Sequence, residues 1–497
     1  MPHFSGAKRP SSPISAGAVT IAGQLVKALV QFTGLIAFSR ILTPHEIGLI
    51  AILTIFTILG ETVRDFGLLQ AAIQTQKLSH RQSSNLFWSN TLLGFAMTVG
   101  LCLAAPAIAN LFREPALREI APWVALTFII SGLQTQFQVQ LARDLRFAAL
   151  AVTDTTAQVI GLAAGLTAAL AGAGYWSLVI QMLCIFGSLL LQRALITGWR
   201  PGLPRREPGM MALYKFGLHI GLAQLLNYGA YNTDSYIIGI RWGASSLGVY
   251  NRAFQMFMAP SSQFLSPLTN VALPLLSRRR HEYGDFYPLL WKAQVLLSVG
   301  LTFFFTLAAS LSQPIVEIAL GPAWSESAPL LSILSIGGAA QVLSFTAFWA
   351  FLASGNAKQL FRSGLITRPL LALSVAVGSG FGLNGVAWGL TAGLVASWFL
   401  SLAWLKRCDE MPVRRFLNSG IHVLLCGFVS GAVSWVAIHH LTGQLSSIVL
   451  LITGFSIVTG IYVPLIMSSS SIRRFLVDIF RRTAAWTKAL LIRGEGR

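Results

Sequence analysis

The feature that most constrains this chain is a series of apolar blocks, each about 20 residues long, that recur along its whole length. A helix of that length crosses a hydrocarbon core of roughly 30 Å, because each helical residue adds about 1.5 Å. Backbone polar groups have no water to bind in that core, so only helices or closed barrels satisfy them. We therefore predict an all-α polytopic membrane protein.

The charge content excludes a large soluble protein. Only 11% of the 497 residues are charged and 54% are hydrophobic, whereas soluble domains carry roughly 25% charged residues. The formal charge of +19 is compatible with a nucleic-acid partner. Membrane proteins, however, collect Lys and Arg in their cytoplasmic loops. We therefore predict no nucleic-acid partner.

Polar loops divide the chain into about fourteen transmembrane spans, and charges interrupt the spans around Glu61 and Asp234. The predicted spans are residues 15–38, 47–70, 86–110, 119–141, 148–170, 175–197, 213–239, 247–275, 288–311, 326–353, 360–380, 384–405, 419–440 and 446–467. With the N-terminus inside, 29 of the 36 Lys and Arg residues fall on the cytoplasmic side and five outside; Lys27 and Arg64 lie within spans. This asymmetry predicts that both termini are cytoplasmic.

Two pairs of junctions indicate an internal duplication. Residues 40–48 and 241–248 each begin with Arg and end with a Gly that opens the next span, and Gly-rich turns at 172–176 and 382–388 each end in Trp. Gly-rich turns also match by chance, but two matches at similar offsets favour duplication, which is frequent in transporters. The predicted parts are a cytoplasmic segment (1–14), an N-lobe (15–197), a linker (198–212), a C-lobe (213–405), two further helices (419–467) and a basic amphipathic cytoplasmic tail (468–497).

Ionisable residues inside spans are costly and usually face a cavity or a partner. Gln24, Lys27 and Gln31 form one polar stripe on the first span. On the second span, Arg64 is placed to pair with Glu61, and a bridge between Lys27 and Glu61 is also compatible with their depths. These charges either neutralise one another as a structural network or serve transport, and the sequence leaves both interpretations open.

Further polar positions lie in later spans. Asn227, Tyr231 and Asp234 share one helical face, which suits a sugar-compatible wet cavity as well as ordinary interhelical hydrogen bonds. Asp154 lies near the inner end of its span. Arg252, like Arg40 and Arg241, is predicted at an outer boundary, where it either snorkels or binds an anionic ligand.

Enzyme signatures are missing from the sequence. It has no Walker A motif, no long outer loop that would hold a polymerase site, and four cysteines without metal-ligand spacing. We predict no catalytic residues, no metal and no cofactor.

Several motifs together carry a family resemblance. The chain resembles the Wzx-type flippases for lipid-linked oligosaccharides, in the multidrug/oligosaccharidyl-lipid/polysaccharide superfamily, and among them the exopolysaccharide exporters. The matching motifs are residues 40–48, 65–67, 72–74, 174–178, 232–239, 247–250 and Ala253. The resemblance implies two six-helix lobes plus two C-terminal helices in the bacterial inner membrane. It also implies an activity, the movement of undecaprenyl-pyrophosphate-linked repeat units to the periplasmic leaflet, driven by an ion or proton gradient.

The resemblance also implies roles for the charged positions. Lys27, Arg64 and Arg252 are expected to contact the head group, with the polar residues Gln24, Gln31, Asn227 and Tyr231 beside them. The expected coupling or gating acids are Glu61, Asp65, Asp154 and Asp234.

Three alternatives remain open at this point. A drug or cation exporter of the same superfamily would need an acidic site and few cavity cations, which Lys27 and Arg64 disfavour. A lipid II flippase shares the chemistry, and a membrane polysaccharide polymerase is disfavoured by the short outer loops. The expected partners are the lipid-linked substrate, membrane lipids, and a polysaccharide polymerase with its export machinery.

The predicted orientation is tested with alkaline phosphatase fusions, because this enzyme folds only outside the cytoplasm. A fusion after Ser245 should be active and one after Arg205 inactive. The reverse pattern would overturn the orientation.

Overall fold

The computed structural model describes residues 13–65, 67–75, 78–409, 411–479 and 481, so the predicted segment 1–14 and most of the predicted tail lie outside the described residues. The described part is helical, with one isolated β-bridge between Thr442 and Leu445. Its helices are α1 (Pro13–Ile41), α2 (Pro44–Asp65), α3 (Leu68–Gln74), α4 (His80–Phe112), α5 (Ala116–Arg143), α6 (Phe147–Leu170), α7 (Trp176–Thr197), α8 (Met210–Tyr231), α9 (Thr233–Tyr283), α10 (Tyr287–Ser310), α11 (Ser312–Ala319), α12 (Ser327–Ala353), α13 (Ala357–Gly378), α14 (Gly382–Cys408), α15 (Val413–Leu441) and α16 (Ser447–Ser468).

Every predicted span falls on helix, but the two spans that charges interrupt are broken, and predicting them as continuous was wrong. Asp65 ends α2, and its carboxylate accepts a hydrogen bond from the Leu69 amide at 3.3 Å in the first turn of α3. Asp234 lies in the first turn of α9 and accepts from the Ser235 amide at 2.7 Å. Both acids thus bind amides that a new helix leaves free, so each favours a helix start.

The chain is a multi-pass membrane protein. Ten segments of the described chain are long and apolar enough to cross a membrane, and one of them, Lys358–Cys408, contains both α13 and α14. Large apolar side chains on these helices face outward, as lipid contact requires: Leu103 is 77% exposed and Phe428 is 68% exposed. The number of fourteen crossings stays a prediction.

The chain divides into two compact units, Met1–Gly248 and Val249–Arg497. In the first unit, α5 packs against α2, α4 and α7, while α6 packs against α1 and α7. The short α3 packs against α8, and the apolar cluster around this contact consists of Leu68, Ala72, Leu86, Val139, Met210 and Leu213. Helix α5 is therefore the central helix of this unit.

Residues 198–209 connect α7 to α8 and are held against the start of α4. Gly202 accepts a hydrogen bond from the Trp88 indole at 2.8 Å and donates one to Ser84 Oγ at 2.9 Å. Asn85 bonds both backbone groups of Arg205. This connection is fixed by side chains of α4 and is not a free linker.

In the second unit, α10 packs against α12 and α15, and α13 packs against α14. The α13–α14 pair is close because Gly385 lies on the Gly378 carbonyl and Gly389 on that of Ser374, as in other small-residue membrane helix pairs. Residues 470–479 of the predicted tail are helical, and the Phe475 ring lies 5.9 Å from that of Trp291 on α10. The part of the tail beyond residue 481 lies outside the described residues.

The two repeated Arg–turn–Gly junctions meet in the first unit. Gly48 of α2 packs directly on the backbone of Ala244, and Gly248 packs on the backbone of Pro44. A side chain at either glycine would overlap main-chain atoms, which cannot rotate away. Glycine is therefore required at both junctions by close backbone contact.

Replacing Gly48 with Ala should lower the apparent melting temperature of the detergent-purified protein by several degrees, because overpacking typically costs about 1–3 kcal/mol. Gly100→Ala is the matched control, since a Cβ at this position in α4 meets no atom within 4 Å. Equal melting temperatures for wild type and Gly48→Ala would contradict the close contact.

Candidate functional site

Helix α5 carries polar side chains on two neighbouring faces of its second half. Ser131 and Thr135 are one turn apart, as are Gln134 and Gln138, so each pair lies on one face of the helix. The first pair contacts residues of α2 and the second contacts α7, the two helices that pack on either side. Thr135 and the two glutamines each accept from a buried arginine, and Ser131 donates to the carboxylate that pairs with one of them.

The first arginine is Arg64, whose side chain is 8% exposed. Its Nη2 donates to Glu61 Oε2 at 2.7 Å, and its Nη1 donates to Thr135 Oγ1 at 2.8 Å. Ser131 donates to the other oxygen of Glu61 at 2.6 Å. The predicted Arg64–Glu61 pair is confirmed, while the Lys27–Glu61 bridge is wrong, because none of the ion pairs among the described residues includes Lys27.

The second arginine is Arg193, one of the 29 cations predicted on the cytoplasmic side. It lies inside α7 with 3% of its side chain exposed, and its Nη2 donates to Asp154 Oδ1 of α6 at 2.6 Å. Its Nη1 donates to Gln134 Oε1 at 2.5 Å and to Gln138 Oε1 at 3.0 Å. Leaving such a cation unpaired in a membrane protein would cost several kcal/mol, so these acceptors are what allow its burial.

The sequence did contain a signal for Arg193. It lies four residues before the end of its predicted span, 175–197. One helical turn from the boundary, a long side chain either snorkels outward or turns inward, and only the inward choice requires acceptors. Gln134 and Gln138 supplied that signal, because two amides one turn apart within a membrane span predict a buried donor.

The polar stripe of α1 is partly described. Lys27 is half-buried and Gln31 is exposed, whereas the side chain of Gln24 lies outside the described residues. Helix α1 runs along α6 in the same direction, since Gly23 approaches Ala151 and Gly34 approaches Leu162. Lys27 therefore lies within about one helical turn of the level of Asp154.

The remaining candidates, except for Arg252, lie in the first unit. Asp65 and Asp234 cap helices, as described above, and the Tyr228 hydroxyl donates to the Ile55 carbonyl of α2. The side chains of Asn227 and Tyr231 lie outside the described residues. No group of three or more His, Cys, Asp or Glu side chains able to hold a metal occurs in the part of the chain searched.

Arg252 belongs to the second unit and is 5% exposed, so its side chain is buried in protein and does not snorkel to solvent; its place at an outer boundary stays a prediction. Its Nη1 donates to Gln255 Oε1 at 2.9 Å, and its guanidinium lies 5.9 Å from the Trp324 ring centre. Its Nε has no hydrogen-bond partner among the described atoms. The aromatic face and the amide stabilise the cation where a carboxylate would otherwise be needed.

This arrangement is suited to binding. The first unit offers a half-buried amine at Lys27, a carboxylate at Asp154 that is 40% exposed, and the buried guanidiniums of Arg64 and Arg193. Such groups bind hydroxyls and phosphate oxygens by charge-assisted hydrogen bonds.

Known proteins are similar in sequence to this chain over most of its length. The chain is 28% identical over 372 residues to the teichuronic acid biosynthesis protein TuaB of Bacillus subtilis, covering 69% of this chain and 73% of TuaB. It is 24% identical over 465 residues to the succinoglycan biosynthesis transport protein ExoT of Rhizobium meliloti, covering 91% and 92% of the two chains.

Among solved structures, the lipid II flippase MurJ in an inward closed conformation superposes with a TM-score of 0.71 and 14% sequence identity. The match covers 93% of this chain and all of that chain, so the two share a fold. The model of the family described as "Polysaccharide biosynthesis protein" matches residues 37–329, more than half of this chain. The chain therefore belongs to this family of polysaccharide biosynthesis proteins, as its motifs predicted.

Proposed function

We propose that the protein is a flippase that moves undecaprenyl-pyrophosphate-linked oligosaccharide repeat units across the bacterial inner membrane for exopolysaccharide biosynthesis. The observation that carries this proposal is the match over 91% of the chain to ExoT, a relative named for transport in succinoglycan biosynthesis. The MurJ-like fold supports it, because that fold is also used by a flippase of a lipid-linked substrate. In this proposal the protein is a carrier and not an enzyme, and both termini are cytoplasmic.

Three cations were expected to contact the head group, and their surroundings differ. Arg64 is balanced by Glu61, and Arg252 is buried beside Trp324. Lys27 is half-buried and takes no part in the ion pairs of the described residues. We therefore assign the principal pyrophosphate contact to Lys27, with Gln24 and Gln31 on the same stripe. Arg64 and Glu61 then hold α2 against α5, and Asp65 and Asp234 control the breaks that begin α3 and α9.

In this proposal the coupling ion acts on the carboxylates of Asp65 and Asp234. Asp65 and Asp234 lie at helix breaks, where a change in hydrogen bonding would alter the angle between two helices. A polysaccharide polymerase that accepts the flipped repeat unit is the proposed partner.

Deleting the gene from its bacterium should abolish exopolysaccharide and cause its lipid-linked repeat unit to accumulate on the cytoplasmic leaflet. Chemical analysis of polymer and of extracted lipid intermediates measures both. Normal polymer without accumulation would contradict the proposal. Growth arrest with accumulated lipid II would contradict it in favour of the peptidoglycan precursor as cargo.

Replacing Lys27 with Ala should reduce complementation of the deletion about tenfold or more, because a charged hydrogen bond contributes about 1.5–3 kcal/mol. Lys27→Arg should retain export, since it keeps the positive charge. The matched control is Lys358→Ala, which removes an exposed lysine at the start of α13. Full export by Lys27→Ala, or loss of the protein from the membrane, would contradict the assigned role.

A further inference from the structure

The ion pair between Asp154 and Arg193 leaves one carboxylate oxygen available. Asp154 Oδ1 accepts from the Arg193 guanidinium at 2.6 Å, while Oδ2 has no partner among the described residues. The side chain of Asp154 is 40% exposed although that of Arg193 is only 3% exposed. The pair therefore presents a carboxylate oxygen that Arg193 holds in place, while the guanidinium itself is buried.

The position of Asp154 on α6 shows which face of the helix carries this acceptor. Ala157, Gly161 and Gly165 lie at i+3, i+7 and i+11 from Asp154, on the same face of the helix, and all three are buried. The opposite face carries exposed apolar residues, among them Val152 at 53% and Ile160 at 46%. Asp154 thus lies on the face of α6 that packs against other helices, not on the face with exposed apolar side chains.

The charges of the pair define the ligand that fits it. Arg193 uses Nη1 for Gln134 and Gln138 and one Nη2 hydrogen for Asp154, so its positive charge is already satisfied within the protein. A carboxylate balanced in this way gains little from a second cation and is repelled by an anion. It accepts strong hydrogen bonds from neutral hydroxyl groups, which are the donors that sugars carry.

We propose that Asp154, held in place by Arg193, binds hydroxyl groups of the sugar part of the cargo and makes the protein select sugar-bearing over bare prenyl pyrophosphates. This inference rests on the proposed flippase function and replaces the coupling role expected for Asp154. The neighbouring cation Lys27 contacts the pyrophosphate, so anionic and sugar parts are bound by different residues.

The test compares two ligands on the purified full-length protein. The first is undecaprenyl pyrophosphate, and the second is the lipid-linked oligosaccharide extracted from the same bacterium. Binding of each is measured by ligand-induced thermal stabilisation. Wild type should bind the sugar-bearing ligand about 10- to 100-fold more tightly, as expected from one or two hydrogen bonds to a charged acceptor.

The informative variant is the double replacement Asp154→Leu with Arg193→Met. Apolar residues of similar volume commonly replace a buried ion pair without loss of stability, whereas single removal leaves a buried charge. The double variant should bind undecaprenyl pyrophosphate as wild type does and lose its preference for the sugar-bearing ligand. The control Thr156→Val, which changes the exposed Thr156–Gln192 contact of the same two helices, should change neither affinity.

A folded double variant that keeps the sugar preference would overturn the inference and leave the pair a structural one. If the double variant does not fold, Asp154→Glu decides, because it keeps the charge pair but moves the carboxylate by one methylene group. A reduced sugar preference in that variant supports the inference, and an unchanged one overturns it. Wild type that binds neither ligand would instead contradict the proposed function.

Discussion

The first unit depends on one constraint: two buried arginines must have their charges and hydrogen-bond donors satisfied, and helix α5 supplies acceptors for both. Arg64 of α2 and Arg193 of α7 contact neighbouring faces of this helix, and each combines one carboxylate with uncharged acceptors of α5. Removing one partner of such a pair typically costs about 3–5 kcal/mol, because the other charge stays buried. The pairs therefore fix α2, α6 and α7 around α5 more strictly than apolar contact does, since apolar side chains gain little from leaving lipid for protein.

The two arginine pairs leave Glu61, Asp154 and Lys27 with different remaining capacities for hydrogen bonding. Glu61 is occupied by Arg64 and Ser131, whereas Asp154 keeps an open oxygen and Lys27 belongs to none of the described ion pairs. A carrier needs both kinds of group. Groups that are fully bonded preserve the helix arrangement while the cargo moves, and groups with remaining bonding capacity exchange partners with the cargo. In the proposed function, the residues that contact the substrate are therefore the few that the buried arginines leave with remaining bonding capacity.

Much of this fold could be predicted from the sequence, because block length and loop charge follow directly from the bilayer. The Arg64–Glu61 pair was also predictable, since residues three apart on a helix are neighbours. Contacts between distant helices were not predictable: Arg193 was counted with the cytoplasmic cations, and a Lys27–Glu61 bridge was considered on depth alone. Similar depth says nothing of the angle at which two helices face each other, which depends on packing residues such as Gly48 and Gly161. The breaks at Asp65 and Asp234 were missed because a span was assumed to be one helix, although acids at a helix start are favourable.

The central claim is that this chain by itself moves a lipid-linked oligosaccharide between leaflets. The most direct measurement uses vesicles that contain the purified protein and the lipid-linked oligosaccharide with a labelled terminal sugar. A membrane-impermeant glycosidase is added outside, and the fraction of label released is measured. Protein-free vesicles should release about half of the label, the share of the outer leaflet, and vesicles with the protein should release nearly all of it once the required ion gradient is applied. Release that stays at about half with active, correctly folded protein, with and without a gradient, would contradict the account.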